Sequence, residues 1–190
     1  MHSTWFSAAL VLLALVTACT AADKQPDGAA PAVTPAAERD STVLSVTPNG
    51  IGPVKAGMTV AVANAATGGA LSPRPGADTT QCHFLTWRGG PPHVRFMAEG
   101  GRVARVDVDS GAVGTTEGAR IGDSEERIKS LYAGRLSVQP HKYTDGHYLV
   151  VSPPAPSDSG FRIVFETDGH RVLRFRAGMR PQVEYVEGCA

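Results

Sequence analysis

Gly50-Ile51-Gly52-Pro53-Val54-Lys55-Ala56-Gly57-Met58-Thr59 has a counterpart further along the chain, Thr116-Glu117-Gly118-Ala119-Arg120-Ile121-Gly122-Asp123-Ser124. Aligning Gly57 with Gly122 places Thr59 on Ser124, and both are residue types whose hydroxyl caps a helix start. A helix is predicted after each cap, the first ending at Thr67 before Gly68-Gly69 and the second near Tyr132 before Gly134, because glycine suits the position just past a helix end. Asp123 and Glu126 add a capping-box pattern, and Glu125 and Glu126 suit the positive end of the second helix.

Strand patterns follow each helix. Cys82 to Trp87, Val94 to Glu99 and Arg102 to Val108 follow the first; His147 to Val151, Phe161 to Glu166 and Arg171 to Arg176 follow the second. Gly100-Gly101, Asp168-Gly169 and Asp145-Gly146 supply hairpin turn signals. The predicted unit is a helix followed by a three-strand meander, used once over residues 43–113 and again over 114–190. Two copies are too few for a solenoid. The expected fold is therefore α+β and two-layered: a tandem repeat forming one antiparallel sheet, with the helices packed on one face.

Reading the copies against each other assigns the two faces. Ala104, Val106 and Val108 align with Arg171, Leu173 and Phe175, a mostly apolar row expected to face the helices. The intervening row, Val103, Arg105 and Asp107 against His170, Val172 and Arg174 with Arg176 beyond, is expected to face water, as one face of an antiparallel sheet commonly does. Arg105, Asp107, Arg174 and Arg176 are then either a solvated face or a binding surface, with Trp87, Tyr143 and Tyr148 as candidate aromatic anchors; Trp, Tyr and Arg dominate interface hot spots. Trp87 reads equally well as a core filler.

The segment Pro140-His141-Lys142-Tyr143-Thr144-Asp145-Gly146-His147-Tyr148 concentrates potential metal ligands. A two-residue turn at Asp145-Gly146 would set Tyr143 opposite Tyr148 and put His141 and His147 on different faces, which disfavours three converging ligands. A cross-strand tyrosine pair is the better reading, and no metal or cofactor is expected.

The first nineteen residues place the chain. An apolar run from Ala8 to Val16 leads into Val16-Thr17-Ala18-Cys19. The run is shorter than the roughly 20 apolar residues a membrane span needs, and it fits a secretory signal. Val16 to Cys19 resembles the lipobox of bacterial lipoproteins, so residues 1–18 are expected to be a signal peptide and Cys19 the lipidation site. An ordinary secretion signal with a chance cysteine is the alternative. Multiple acyl chains on Cys19 would anchor the chain stably, in the outer membrane if the host has one. Residues 19–42, rich in Ala, Pro and Asp, are expected to form a disordered tether.

Lys plus Arg equals Asp plus Glu, 18 of each, which removes the electrostatic argument for nucleic acid. Cys82 and Cys189 remain after Cys19, and an exported compartment permits their pairing. A Cys82-His83 nucleophile and base is the alternative, disfavoured because neighbours on a strand point to opposite faces. The sequence contains no H-E-x-x-H, G-x-S-x-G, S-x-x-K or phosphate-binding loop motif.

A lipobox, a tether, and Gly57-Met58-Thr59 leading a helix into an antiparallel meander resemble the small outer-membrane lipoproteins of the BamE type. Two tandem copies, the second opening at Gly122-Asp123-Ser124, resemble the β-lactamase inhibitor protein. The resemblance implies a non-enzymatic binding module. The expected function is an envelope lipoprotein that binds an envelope or extracytoplasmic protein through its exposed sheet face, as an assembly factor or enzyme inhibitor. A carbohydrate-binding module is the alternative, and an enzyme of unrecognised type the third reading.

Overall fold

Eight antiparallel strands form the main sheet of the computed structural model, which describes residues 44–189. The segments expected to be a signal peptide and a tether, with Cys19, lie outside the described residues. A small three-stranded sheet comes first: β1 (Val46–Thr47), β2 (Gly50–Ile51) and β3 (Val54–Lys55). Helix α1 (Val60–Ala66) follows, then a meander of β4 (Leu71–Pro73), β5 (His83–Trp87), β6 (Val94–Glu99) and β7 (Arg102–Val108). After a connecting segment come α2 (Glu125–Leu131) and a second meander of β8 (Leu136–Pro140), β9 (His147–Val151), β10 (Phe161–Thr167) and β11 (Val172–Met179). The strand order is β4-β5-β6-β7-β11-β10-β9-β8, so the last strands of the two meanders pair at the centre.

The expected α+β class is corrected by this architecture. The fold is mostly β, with an eight-stranded and a three-stranded sheet and only two α-helices of seven residues each among the described residues. Two helices of that length cannot make a second layer over eight strands. Each meander also has four strands where three were expected. The missed ones are β4, three residues ending in Pro73, and β8, which lies upstream of the expected Lys142–Thr144 strand.

The chain enters both helices in the same way. Thr59 Oγ1 accepts from Val62 N and Ser124 Oγ from Arg127 N, as caps satisfying otherwise unpaired helix N–H groups. Asp123 forms no capping box; its carboxylate accepts from Arg120 N and pairs with Arg127. Gly57 N donates to Val103 O at 2.8 Å and Gly122 N to Val172 O at 2.9 Å. Arg102 and Arg171 donate back to the Gly57 and Gly122 carbonyls at 2.7 and 2.8 Å. Gly57 and Gly122 have φ of 92° and 88°, a left-handed backbone that favours glycine.

Both central strands carry a bulge. Met97 pairs with Arg105 and Ala98 with Val103, which leaves Ala104 as the extra residue. Glu166 pairs with Arg174 and Thr167 with Val172, which leaves Leu173 extra. A bulge breaks strict alternation. Val103 and Val106 therefore both reach the core, as do Val172 and Phe175, while Leu173 is 51% exposed. The apolar row expected through Ala104 and Leu173 is corrected accordingly. At the centre, Gly178 pairs with Arg105, and a side chain there would collide with the Ala104 carbonyl and Arg105.

The main core lies on one face of the sheet, where Leu85, Phe96, Val106, Phe165 and Phe175 meet Ala63 of α1, Ile128 of α2, Tyr132 and the small sheet. A second apolar cluster, Tyr148, Val150, Val164 and Val183 with Val186 against it, lies apart from it. Val183 and Val186 belong to the chain after β11, which decides what becomes of the polar face.

Candidate functional site

Residues 180–189 form a strap across the polar face of the sheet. Arg180 N donates to Gly160 O, and Gln182–Glu184 make one 3₁₀ turn. The Arg105 guanidinium donates to the carbonyls of Gln182 and Tyr185, both at 2.8 Å, and Arg176 Nε donates to Val183 O at 2.7 Å. Gln182 Nε2 donates to Glu99 at 2.7 Å. The far end of the strap is cross-linked by a disulfide between Cys82 and Cys189, 107 residues apart in sequence.

The expectation that the charged row faces water is corrected by the strap. Arg105, Asp107 and Arg176 are 3%, 8% and 5% exposed. Arg174 keeps an exposed side chain. The charges along the row are paired: Arg105 Nε donates to Asp107 at 2.9 Å, Arg176 donates to Glu166 Oε2 at 3.3 Å, and Arg174 donates to Glu166 Oε1. His141 Nε2 lies 3.1 Å from the same Glu166 oxygen. Burial acts to raise the Glu166 pKa, but hydrogen bonds from Arg174 and His141 outweigh it and hold the carboxyl below its ordinary range. Burial, and then the like charge of Arg105, draw Arg176 below the ordinary arginine value.

The expected hairpin pair is also corrected. β8 and β9 are joined by residues 141–146, and Tyr148 pairs across the strands with Gln139. Tyr148 is buried and stacks on His141 with ring centroids 4.6 Å apart. Tyr143 sits in the loop, 60% exposed, and its hydroxyl donates to Glu187 of the strap. Tyr143, then Lys142, hold Glu187 below the usual carboxylate range. Trp87 packs on the main core, 6.2 Å from Phe96. The three aromatic candidates therefore share no surface.

A charged cleft lies between the strap and the sheet. Its volume is about 120 Å³, and Phe84, Val186 and Gly188 line it together with four guanidinium groups, Arg95, Arg105, Arg174 and Arg176, and four carboxylates, Asp107, Asp109, Glu166 and Glu187. No protein-family model, curated protein or solved structure matches this chain.

Most of those charges are already satisfied within the fold. Glu166 and Asp107 hold arginines, Asp109 lies 3.5 Å from His93, and Glu187 is bound by Lys142 and Tyr143. Arg95 is the exception, since its Nε is buried and has no hydrogen-bond partner. Its guanidinium lies 4.5 Å over the Phe84 ring, which fixes it in place as a cation–π contact. Asp107 is its cross-strand neighbour, but a carboxylate oxygen of Asp107 already accepts from Arg105. Sequence reading missed Arg95, Phe84 and Glu166; the alternation of Val94 to Glu99 was the available signal for Arg95.

A second polar cluster lies at the start of α2. Glu125 Oε1 accepts from Thr167 Oγ1 at 2.6 Å and lies 2.7 Å from His147 Nδ1, while Oε2 pairs with Lys129 at 3.1 Å. Burial pushes the Glu125 carboxyl up, and the Thr167, His147 and Lys129 hydrogen bonds bring it below the ordinary value. The Thr167 hydroxyl donates to the Glu125 carboxylate and not to the His147 ring, so no Thr–His nucleophile–base pair forms. This cluster ties α2 to β9 and β10. Among the described residues no group of three His, Cys, Asp or Glu could hold a metal ion.

Proposed function

We propose that this chain is an exported bacterial lipoprotein, anchored through Cys19, that binds a protein partner and does no chemistry of its own. The partner docks at the cleft beside the strap, since the open sheet face first expected for it is roofed. The observation that carries the reading is the buried Arg95 Nε without an acceptor. An unsatisfied buried donor costs about 1–3 kcal/mol and more for a charged group, and an acceptor brought by a partner whose docking opens access to Nε would recover that cost. The Cys82–Cys189 disulfide supports an oxidising, extracytoplasmic setting. The buried carboxylates are committed to cations and held below their ordinary range, which suits charge pairing and not proton transfer near neutral pH. No observation favours the glycan alternative, because Trp87, Tyr143 and Tyr148 do not converge.

Two results are expected. Cys19→Ala should abolish incorporation of labelled palmitate; labelling that persists would refute the anchor. Crosslinking in native envelopes should capture a partner through the unaltered chain, and charge reversal at Arg95 and Arg174 together should reduce that capture at least tenfold while the disulfide still forms. Undiminished capture by the double variant would remove the cleft from the reading.

A further inference from the structure

The cleft's chemistry narrows what the partner presents. We infer that it is a carboxylate-binding subsite for a peptide segment, with Arg95 as its principal donor; this rests on the binding reading above. Three observations converge. Arg95 lies in the cleft with Nε buried and unpartnered, held over Phe84, so its fork is oriented before a ligand arrives. A planar guanidinium matches a carboxylate with two parallel hydrogen bonds.

The second observation is how this face already treats peptide. Arg105 and Arg176 spend their donors on the carbonyl oxygens of Gln182, Tyr185 and Val183, so neighbouring arginines of the same row hold a 3₁₀ turn and the residue after it by their backbone oxygens. The cleft opens along that row between the strap and the sheet, with Phe84 and Val186 as apolar walls.

The third is size and charge. A water needs roughly 10–15 Å³ of such volume, so about 120 Å³ admits a carboxylate with a few neighbouring atoms. Four carboxylates share the lining with the four arginines, which disfavours a dianionic phosphate while leaving one singly charged group for the free fork. A chain end and an Asp or Glu side chain offer the same carboxylate.

The test is calorimetric titration of the full chain, purified in detergent, with four probes: acetyl-Gly-Ala-Ala with a free carboxylate, the same peptide as its amide, acetyl-Gly-Glu-Ala amide, and inorganic phosphate. At least one carboxylate peptide should bind tenfold or more tightly than the plain amide. Binding of the first alone assigns the site to a chain end, and binding of the glutamyl peptide alone assigns it to a side chain. Arg95→Gln should weaken that binding at least tenfold. Arg95→Lys, which keeps the charge and loses the fork, should weaken it several-fold and decides the matter if the glutamine variant fails to fold. Equal binding of the amide, binding of neither acid, phosphate binding as tight as the peptides, or unchanged affinity in the folded Arg95 variants would each overturn the inference. Partner capture that depends on Arg95 and Arg174 without peptide binding would leave the functional reading standing and sink this one alone.

Discussion

Replacing Cys189 with serine should lower the thermal midpoint of the folded domain by on the order of 10 °C and loosen the strap before the sheet melts. The disulfide closes a loop across 107 residues of sequence separation, from the start of β5 to the last described residue. Chain-entropy arguments give such a loop an upper contribution of about 4–5 kcal/mol, acting mainly on the unfolded chain, and one kcal/mol moves the midpoint of a domain this size by about 2–4 °C. The strap adds a local consequence. Without the cross-link, the strap is held by the hydrogen bonds from Arg105 and Arg176, by the Arg180–Gly160, Gln182–Glu99 and Glu187 contacts, and by the packing of Val183 and Val186. Amide exchange at Tyr185, whose N–H bonds to Gln182 O, should therefore accelerate more than exchange in β7 or β10. An unchanged midpoint would mean that the cross-link constrains nothing the fold does not already constrain. Uniform acceleration across the sheet would mean that the strap has no opening of its own.

That the strap was invisible in the sequence has a physical reason. The caps at Thr59 and Ser124 and the turn at Gly100-Gly101 are local features, set by residues within one turn of each other, and they lie where the sequence placed them. Pairing of Cys82 with Cys189 was legible because the chain has three cysteines and the expected lipobox set Cys19 aside. The faces of the central strands were not. Glycine-to-glycine alignment relates the halves at one offset, Gly57 to Gly122. The contacts those glycines make, to Val103 and Val172, relate the strands at an offset four residues longer. An alignment carried from the helix starts into the strands therefore slips, and a bulge in each strand then shifts which residues face the core. Burial of Arg105 and Arg176 depends on residues 182–185, about eighty and seven positions away, which no short-range pattern reports. Charged side chains in an alternating strand ordinarily mean solvent. Here they mean a second buried layer, and the expectation of an open binding face failed for that reason.

Glu166→Gln should destabilise the folded domain by about 3 kcal/mol at neutral pH, because removing one member of a buried ion pair leaves the other uncompensated. Glu166 and Arg176 side chains are 4% and 6% exposed, and the glutamine variant would leave the Arg176 guanidinium with the Val183 carbonyl and with Asp107, already bonded to Arg105, as its facing charge. Arg174 adds less, since its side chain is 55% exposed and water can take over its hydration. The same residue gives a pH dependence of definite sign. The Glu166 pKa is lower in the folded chain than its ordinary value, burial opposing and the Arg174 and His141 hydrogen bonds prevailing. Such a carboxylate contributes stability that is fully present above the unfolded value, about 4.3, and is lost as the pH falls through the lower folded value. Urea midpoints of the unaltered chain should therefore fall steeply between about pH 5 and pH 3. Glu125 and Glu117 are also held low and steepen that fall in both proteins, so the difference between them reports Glu166 alone. That difference should shrink toward zero as the pH drops, since protonated Glu166 and glutamine then carry the same charge. Parallel curves, or a variant within 1 kcal/mol of the unaltered chain at pH 7, would show that Arg176 is neutralised by Asp107 and the strap, and that the network on this face is two separate pairs and not one.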